Sequence, residues 1–254
     1  MPTAEQLIQA LELPPEAAVG QRVPKKLLAE TDAPTAADRR QINDHIDALH
    51  WVAAMKPATV GVPAYRDETR EYLEIAVLHL RLRHGAKAAR LADLVHRAVP
   101  YPVLLITEQE PADRAPELSL YHKRRSRAES DKVVLDGELT AATVDDGEPH
   151  LKAFMQALSL SRQPRRDLNA LYQGWIDTVL ALHAARVNGT FHVHSCAERA
   201  AARRQALQVS SDLEARIAKR RAEAAKATQL ARQVELNLDI KRLEAALADA
   251  RQQL

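Results

Sequence analysis

The run His122-Lys123-Arg124-Arg125-Ser126-Arg127 closes a predicted strand with clustered cations, and Arg162, Arg165 and Arg166 lie in the loop before a predicted helix. Lys and Arg neutralise backbone phosphates whatever the base sequence, so clusters of this kind converging on one rim are what nucleic-acid contact requires. The competing reading is a pair of solvated loops whose cations are matched by acids such as Glu129 and Asp131. Only Tyr121 is an adjacent aromatic, which leaves a stacking platform for single strands with little support.

Two further sets of residues could do chemistry. Phe191-His192-Val193-His194-Ser195-Cys196 places two imidazoles and a thiol close together, with His183 one helix earlier, and such ligands suit zinc. A structural zinc site normally needs two ligand pairs, and Cys196 is the only cysteine, so the reading favoured for this segment is a polar hinge. A metal-dependent nuclease would need a strand-end acid followed by Glu-x-Lys on the next strand, so that carboxylates hold Mg²⁺ while Lys assists the attacking water. Glu71, Glu74, Glu117 and Lys123 are the nearest materials, but no Glu-x-Lys falls on a predicted strand. Gly61 and Gly85 stand alone, so there is no glycine-rich phosphate loop, and no Gly-x-Ser-x-Gly elbow occurs. No catalytic residue, metal or cofactor is assigned.

These groups must be positioned by an α/β body. Leu7, Ile8, Leu11 and Leu13 have helical spacing, and Pro24 can start a short helix through Leu27 and Leu28. Thr35 with Asp38 resembles a capping arrangement, and Ile42, Ile46, Leu49 and Ala53 predict a helix running to about Met55. From Thr59 the period changes to two, which predicts a hairpin across Arg66-Asp67-Glu68-Thr69-Arg70. Its second strand, from Tyr72, is apolar on both faces and suits a central place in a sheet. Gly85, the stripe Leu91, Leu94, Val95 and Ala98, and the run Val103-Leu104-Leu105-Ile106 complete a β-α-β unit. Strands are expected at Glu117 to Lys123 and Lys132 to Val144, the latter with a bulge at Gly137. Leu151 to Leu158 and Leu168 to Leu182 then read as helices, with Trp51 and Trp175 as core residues and Gly189 as a stop. The expectation is a mixed sheet of about five strands with flanking helices, followed by a long C-terminal coiled-coil helix. Residues 1–56 form N-terminal helices in this reading, 57–194 the body and 195–254 the tail.

The tail has the clearest pattern. From Thr190 to Leu254 there is no Gly or Pro, and Leu236, Ile240, Leu243, Leu247, Ala250 and Leu254 recur at alternating spacings of four and three. A second seam, Leu213, Ile217, Arg220, Ala224, Ala227, Ala231, Val234 and Leu238, leads into it. An exposed strip of this length calls for a covering surface, either another chain or the protein's own body. Ser211 with Glu214 could cap a second helix, but a sharp reversal near Val209-Ser210-Ser211 would lack the usual turn residues. Pairing with a copy of itself or with a partner's helix is therefore the expected use of the tail.

Length allows one well-buried domain with an appendage, and the formal charge of +2 divides into −2 for residues 1–194 and +4 for residues 195–254. The N-terminal MPTAEQLIQALELPPE lacks a basic start with an apolar run, and no apolar segment approaches the roughly 18 residues that span a bilayer. A cytoplasmic protein without membrane contact is expected.

Arg22-Val-Pro-Lys-Lys-Leu-Leu, Ile46-Asp-Ala-Leu-His-Trp51, Lys56-Pro57-Ala-Thr-Val60, Glu71-Tyr-Leu-Glu-Ile-Ala-Val77 and Ala98-Val-Pro-Tyr-Pro-Val-Leu-Leu105 together resemble a bacterial domain-of-unknown-function family of the DUF4391 type. The similarity continues through His122-Lys123-Arg124, Leu171-Tyr172, Trp175-Ile176 and Val234-Glu-Leu-Asn-Leu-Asp-Ile-Lys241. The resemblance implies a gene neighbourhood of Swi/Snf-type helicases and type III-like DNA methyltransferases, in loci that resist phage. It carries no catalytic residues. The expected function is a non-catalytic adaptor of a restriction-modification-like complex, with a helicase or methyltransferase as partner and DNA as a further contact. A metal-dependent nuclease using Glu74 or Glu117 with Lys123, and a stand-alone DNA-binding module, are the alternatives.

Overall fold

The computed structural model describes residues 2–31, 35–111, 114–126, 132–194 and 196–254. Two compact units divide at Val179/Leu180.

The first unit is built on a mixed six-stranded sheet. Its strands are β1 (Ala18–Arg22), β2 (Ile46–Met55), β5 (Ile75–Leu82), β6 (Val103–Gln109), β7 (Glu117–Arg125) and β8 (Val133–Thr143), in the order β1-β2-β5-β6-β7-β8. Strands β3 (Tyr65–Arg66) and β4 (Glu71–Tyr72) form a separate small hairpin. Only β5 and β6 run parallel, joined through helix α5 (Ala88–Ala98), which is the expected β-α-β unit. Strand β5 lies between β2 and β6, and Ile75, Ala76, Val77, Leu78 and Leu80 are all buried, as its two-faced apolar sequence requires.

On one sheet face, Ala76, Leu78, Leu80, Leu82, Val103 and Leu105 pack with Leu91, Leu94 and Val95 of α5. Leu28 of α2 (Lys25–Thr31) and Ile42 of α3 (Ala36–His45) complete that core. Asp38 of α3 holds Arg90 of α5 through two bonds of 2.9 Å while its amide is capped by Thr35, which fastens these helices at their polar rim. The other face of the sheet buries Val77, Leu104, Ile106, Leu118 and Leu120, with α1 (Ala4–Ala10) against β6. Tyr172 of α7 (Leu168–Asn188) is fully buried and donates its hydroxyl to the Val103 carbonyl at 2.7 Å. Trp175 is also fully buried, and its indole N–H donates to the Leu158 carbonyl at 2.8 Å, just after α6 (Leu151–Ala157).

One expected helix is shorter than its spacing indicates. The Thr35 cap and α3 form as anticipated, but the chain becomes extended at Ile46, and Ile46 to Met55 pair antiparallel with β5. The apolar positions Ile46, Leu49 and Ala53 fit a helical period, but ladder hydrogen bonds from β5 decide for the strand, and register slips between Ile46 and Ala48 and between Trp51 and Ala53 accommodate the spacing. Strands β1 and β2 are added to the sheet, whereas the strand expected from Thr59 is not in it: Pro57–Val60 form a short helix and only Tyr65–Arg66 pair with Glu71–Tyr72 in the separate hairpin, so the sheet has six strands. Gly137, with φ of +85°, lies where the β7/β8 register slips between Leu120 and His122, so the bulge falls at the expected glycine.

His96 sits in this body with no exposure, its Nε2 3.1 Å from the Ser119 hydroxyl. Burial, helped by the nearby Lys123 cation, lowers its pKa to about 3. Below about pH 6.5 the unfolded chain takes up a proton that folded His96 refuses, so the stability it confers is complete above that pH and is lost progressively towards pH 3. Stability is expected to fall by about 2 kcal/mol between about pH 7 and about pH 5 from this group alone. Denaturant midpoints read across that range should flatten in His96→Gln; an unchanged pH profile in the variant would contradict this account.

The second unit, residues 180–254, contains helices α8 (Ala197–Lys226) and α9 (Leu230–Arg251). They fold back on one another as an antiparallel pair, with Arg221 to Glu244 at 2.6 Å and Arg251 to Glu214 at 2.7 Å across the contact. The tail is thus two helices and not one rod, and Ser211 lies inside α8 instead of starting a helix. The reversal occurs at Ala227-Thr228-Gln229, where Ala227 and Gln229 have extended backbones that any residue adopts, and Gln233 donates its amide to the Ala227 carbonyl at 2.7 Å. No glycine or proline is needed for a connection of this type.

Pairing covers most of the seam from within the chain. Leu213, Ile217, Leu236, Ile240 and Ala250 are buried, while Leu243, Leu247 and Leu254 are half-buried. Arg220, on the seam, pairs with Glu223 at 2.8 Å and reaches Asp239 of α9 at 3.7 Å. The reversal leaves the last part of the other seam outside: Leu230, Val234 and Leu238 are 75%, 51% and 53% exposed.

Candidate nucleic-acid interface

The hairpin of β3 and β4 organises the site. Asp67 makes its turn by accepting hydrogen bonds from the amides of Thr69 and Arg70 and from the Tyr65 hydroxyl, at 2.7, 2.6 and 2.6 Å. A side-chain acceptor of this kind replaces backbone turn bonds, which is why Asp serves here without glycine. The Tyr65 hydroxyl and the two amides hold the Asp67 carboxyl well below the usual carboxylate range, so it is a fixed negative charge.

One side of the hairpin is fastened to the end of β7, where the Arg125 amide donates to the Thr69 carbonyl at 2.7 Å. Glu71 ties Arg66 and Arg125 together, and Asp136 of β8 joins Arg70 to Arg124. The guanidinium of Arg125, followed by that of Arg66, holds the Glu71 carboxyl below its ordinary value. The hairpin's other side meets the loop that starts α7. Leu168 donates its amide to the Pro63 carbonyl at 2.9 Å, and Arg165 donates to the Val60 carbonyl at 2.7 Å at the end of α4 (Pro57–Val60).

That loop is held in shape from beneath. Gln163 is buried and donates its amide to the Ala157 and Ser159 carbonyls. Gly174 of α7 allows the Pro164 ring to approach, since a Cβ there would stand 2.4 Å from the proline Cδ. Asp167 accepts from the Ala170 amide at 2.8 Å and from Arg166 at 2.7 Å. Arg162, Arg165 and Arg166 are exposed. The end of β7 with Arg125 and the loop with Arg165 and Arg166, about forty residues apart in sequence, are therefore both fastened to the hairpin or the residues leading into it.

Aromatic rings fill the space between them. Tyr65 contacts Tyr72 at 6.4 Å and 74°, Tyr72 contacts His122 at 6.0 Å and Tyr172 at 5.9 Å, and His122 contacts Tyr172 at 5.4 Å. Tyr72 and Tyr172 are fully buried, whereas Tyr65 and His122 are half-buried. Burial raises the pKa of both inner tyrosines, so their hydroxyls stay protonated and serve as hydrogen-bond donors. The Tyr72 hydroxyl meets His122 Nδ1, His122 Nε2 meets the Gln173 carbonyl oxygen at 2.9 Å, and Gln173 donates onward to Asp177 at 3.1 Å. No aromatic stripe in the sequence indicates this cluster, because its rings come from β3, β4, β7 and α7.

Lys123 must be removed from the phosphate-contacting set. It is 3% exposed, and its ammonium donates to the His96 and Val99 carbonyls at the C-terminal end of α5. Alternation along β7 turns it under α5 while His122 and Arg124 face the opposite side. Lys123→Met should lower stability by about 2 kcal/mol, by leaving those carbonyls unmatched, and should leave the salt dependence of any oligonucleotide binding unchanged. Thermal unfolding and binding titrations of the same variant test both parts; a flattened salt dependence with unaltered stability would reverse the assignment. Arg127, Glu129 and Asp131 lie outside the described residues.

The acids considered for a nuclease do not assemble with Lys123. Glu74 pairs with Lys56 at 3.3 Å, and Glu117 stands six residues from Lys123 on β7, about 20 Å along an extended strand. Burial raises the Glu117 carboxyl above its ordinary value. In the second unit, Arg203 donates to the His192 carbonyl and to His194 Nε2 at 2.8 Å, and the Cys196 thiol donates to Glu198 at 2.7 Å. The His192, His194 and Cys196 segment thus has protein partners of its own, and no group of three His, Cys, Asp or Glu residues among those described is placed to hold a metal ion.

The family model described as Domain of unknown function (DUF4391) matches residues 11–247. The chain belongs to this family. The DUF4391 match takes in the sheet, the hairpin, both arginine groups and nearly all of α9. No curated protein and no solved structure matches the chain. Among the described residues of this DUF4391 chain, no helix is long and apolar enough to cross a membrane.

Proposed function

We propose that this DUF4391 protein is a non-catalytic accessory subunit of a bacterial DNA-processing complex, contacting nucleic acid through Arg124, Arg125, Arg162, Arg165 and Arg166. The observation that carries the reading is that both arginine-bearing segments are fastened to one hairpin or the residues leading into it. Cations that the fold has already gathered on one rim attract a polyanion without the cost of assembling that rim at the moment of binding. Glu71, Asp136 and Asp167 reduce the field of Arg125, Arg124 and Arg166, which makes the contact a modest one suited to a subunit that acts within a larger assembly.

The outward face of α9 is the proposed contact with that assembly, since Leu230, Val234 and Leu238 are the part of the heptad pattern left uncovered. A helicase or methyltransferase of the kind implied by the family's gene neighbourhood supplies the chemistry, in the cytoplasm. The test is affinity purification of the intact chain from its native cells with nucleic acid retained. Recovery of a DNA-modifying or DNA-translocating enzyme in stoichiometric amount, with nuclease-sensitive nucleic acid, is the expected outcome. A chain recovered alone and free of nucleic acid would contradict the proposal.

A further inference from the structure

The space between the arginine groups is not uniformly basic. Asp67, Glu71 and Asp167 lie on or beside the hairpin, and Asp67 and Glu71 are held ionised by their partners. A continuous phosphate backbone laid across the hairpin would meet these carboxylates at its centre. A neutral base would not, provided that the phosphates before and after it fall on the arginines.

The structure offers a base a surface at that position. Tyr65 is half-buried, and its ring is set by a perpendicular contact with Tyr72, itself fully buried against Tyr172. Its hydroxyl is fixed by Asp67 at 2.6 Å. A ring already held in one orientation loses little freedom when a base stacks on it. His122 is the second half-buried ring, held between the Tyr72 hydroxyl and Gln173. Paired bases inside a duplex do not expose their faces, so only an unpaired nucleotide can use such a platform.

We infer that the Tyr65–Tyr72 hairpin is a stacking site for an unpaired base, flanked by phosphate contacts at Arg124 and Arg125 on one side and Arg166 on the other, so that the protein prefers single-stranded to double-stranded nucleic acid. This rests on the proposed nucleic-acid contact and narrows it to one class of strand. Deoxyribose and ribose strands share the base and phosphate chemistry, and the assay separates them.

The test is fluorescence anisotropy on the full-length protein with labelled oligothymidylate, oligouridylate and a duplex of matched length. At least one single strand is expected to bind about tenfold more tightly than the duplex. Tyr65→Ala should remove about tenfold of single-strand affinity and leave duplex affinity unchanged, while Tyr65→Phe and Tyr65→Trp retain the preference. The aromatic variants keep the contact with Tyr72, which separates loss of the platform from loss of the hairpin. Equal binding of duplex and single strands, or a Tyr65→Ala variant as strand-selective as the native protein, would overturn the inference while leaving the arginine contact standing. Absence of salt-dependent binding to all three probes would instead remove the underlying nucleic-acid reading.

Discussion

Replacing Arg162, Arg165 and Arg166 together with alanine is expected to weaken oligonucleotide binding by between about tenfold and a hundredfold, and to make the slope of log affinity against log salt shallower by about two. The three side chains are exposed at the start of α7, and none lies on a strand of the sheet. Arg166 gives up its partly exposed pair with Asp167, and Arg165 gives up its bond to the Val60 carbonyl. That bond is partly exposed and is worth about 1 kcal/mol at most, too little to unfold the body. The effect should therefore appear in affinity and salt slope with thermal stability almost unaltered. Isothermal titration or anisotropy at several salt concentrations, beside a melting curve, is the measurement. A triple variant that binds as the native chain does would place the contact elsewhere.

A second large effect is expected in the helical pair. Leu236→Ala and Ile217→Ala should each destabilise the second unit by about 2 to 4 kcal/mol, because both side chains are buried in the contact between α8 and α9 and their removal leaves a cavity. Leu230→Ala, Val234→Ala and Leu238→Ala should change stability by no more than about 0.5 kcal/mol, because these side chains already face water. Limited proteolysis near the Ala227-Thr228-Gln229 reversal, followed by mass spectrometry, reports the local opening. Rapid cleavage in the first pair of variants and native-like resistance in the other three is the predicted pattern. The opposite pattern would mean that the exposed strip, and not the buried seam, holds the helices in place.

This contrast also shows what the heptad pattern alone conveys. Both seams are present and both are helical, but spacing cannot say which partner covers a seam. Leu213, Ile217, Leu236 and Ile240 are all buried within the same chain because three residues in and around extended conformations reverse the helix direction. A rule that looks for glycine or proline at reversals does not detect such a link. The charge pairs Arg221 with Glu244 and Arg251 with Glu214 were a usable signal, since they match only when the two helices run antiparallel.

The sheet was legible where pattern and pairing agree. Strands β5 to β8 and helices α5 to α7 follow from apolar period, from Gly85 and from Gly189, with its φ of +76°. Strand β2 was not, because Ile46, Leu49 and Ala53 fit a helical face and only the neighbouring β5 selects the extended form. The site shows the same division. Its arginines announce themselves as runs, whereas Tyr65, Tyr72, His122 and Tyr172 become neighbours only through tertiary folding. Lys123 misleads in a run of cations because a run does not record which face of a strand each residue takes; alternation along β7 separates it from Arg124.

The central claim is that two separated arginine groups act on one polyanion, and the salt dependence of the native protein tests it most directly. Four or five phosphate contacts, partly offset by Glu71, Asp136 and Asp167, predict a slope of log affinity against log salt between about −2 and −4. A slope near zero, or no binding to single or double strands at low salt, would contradict the account.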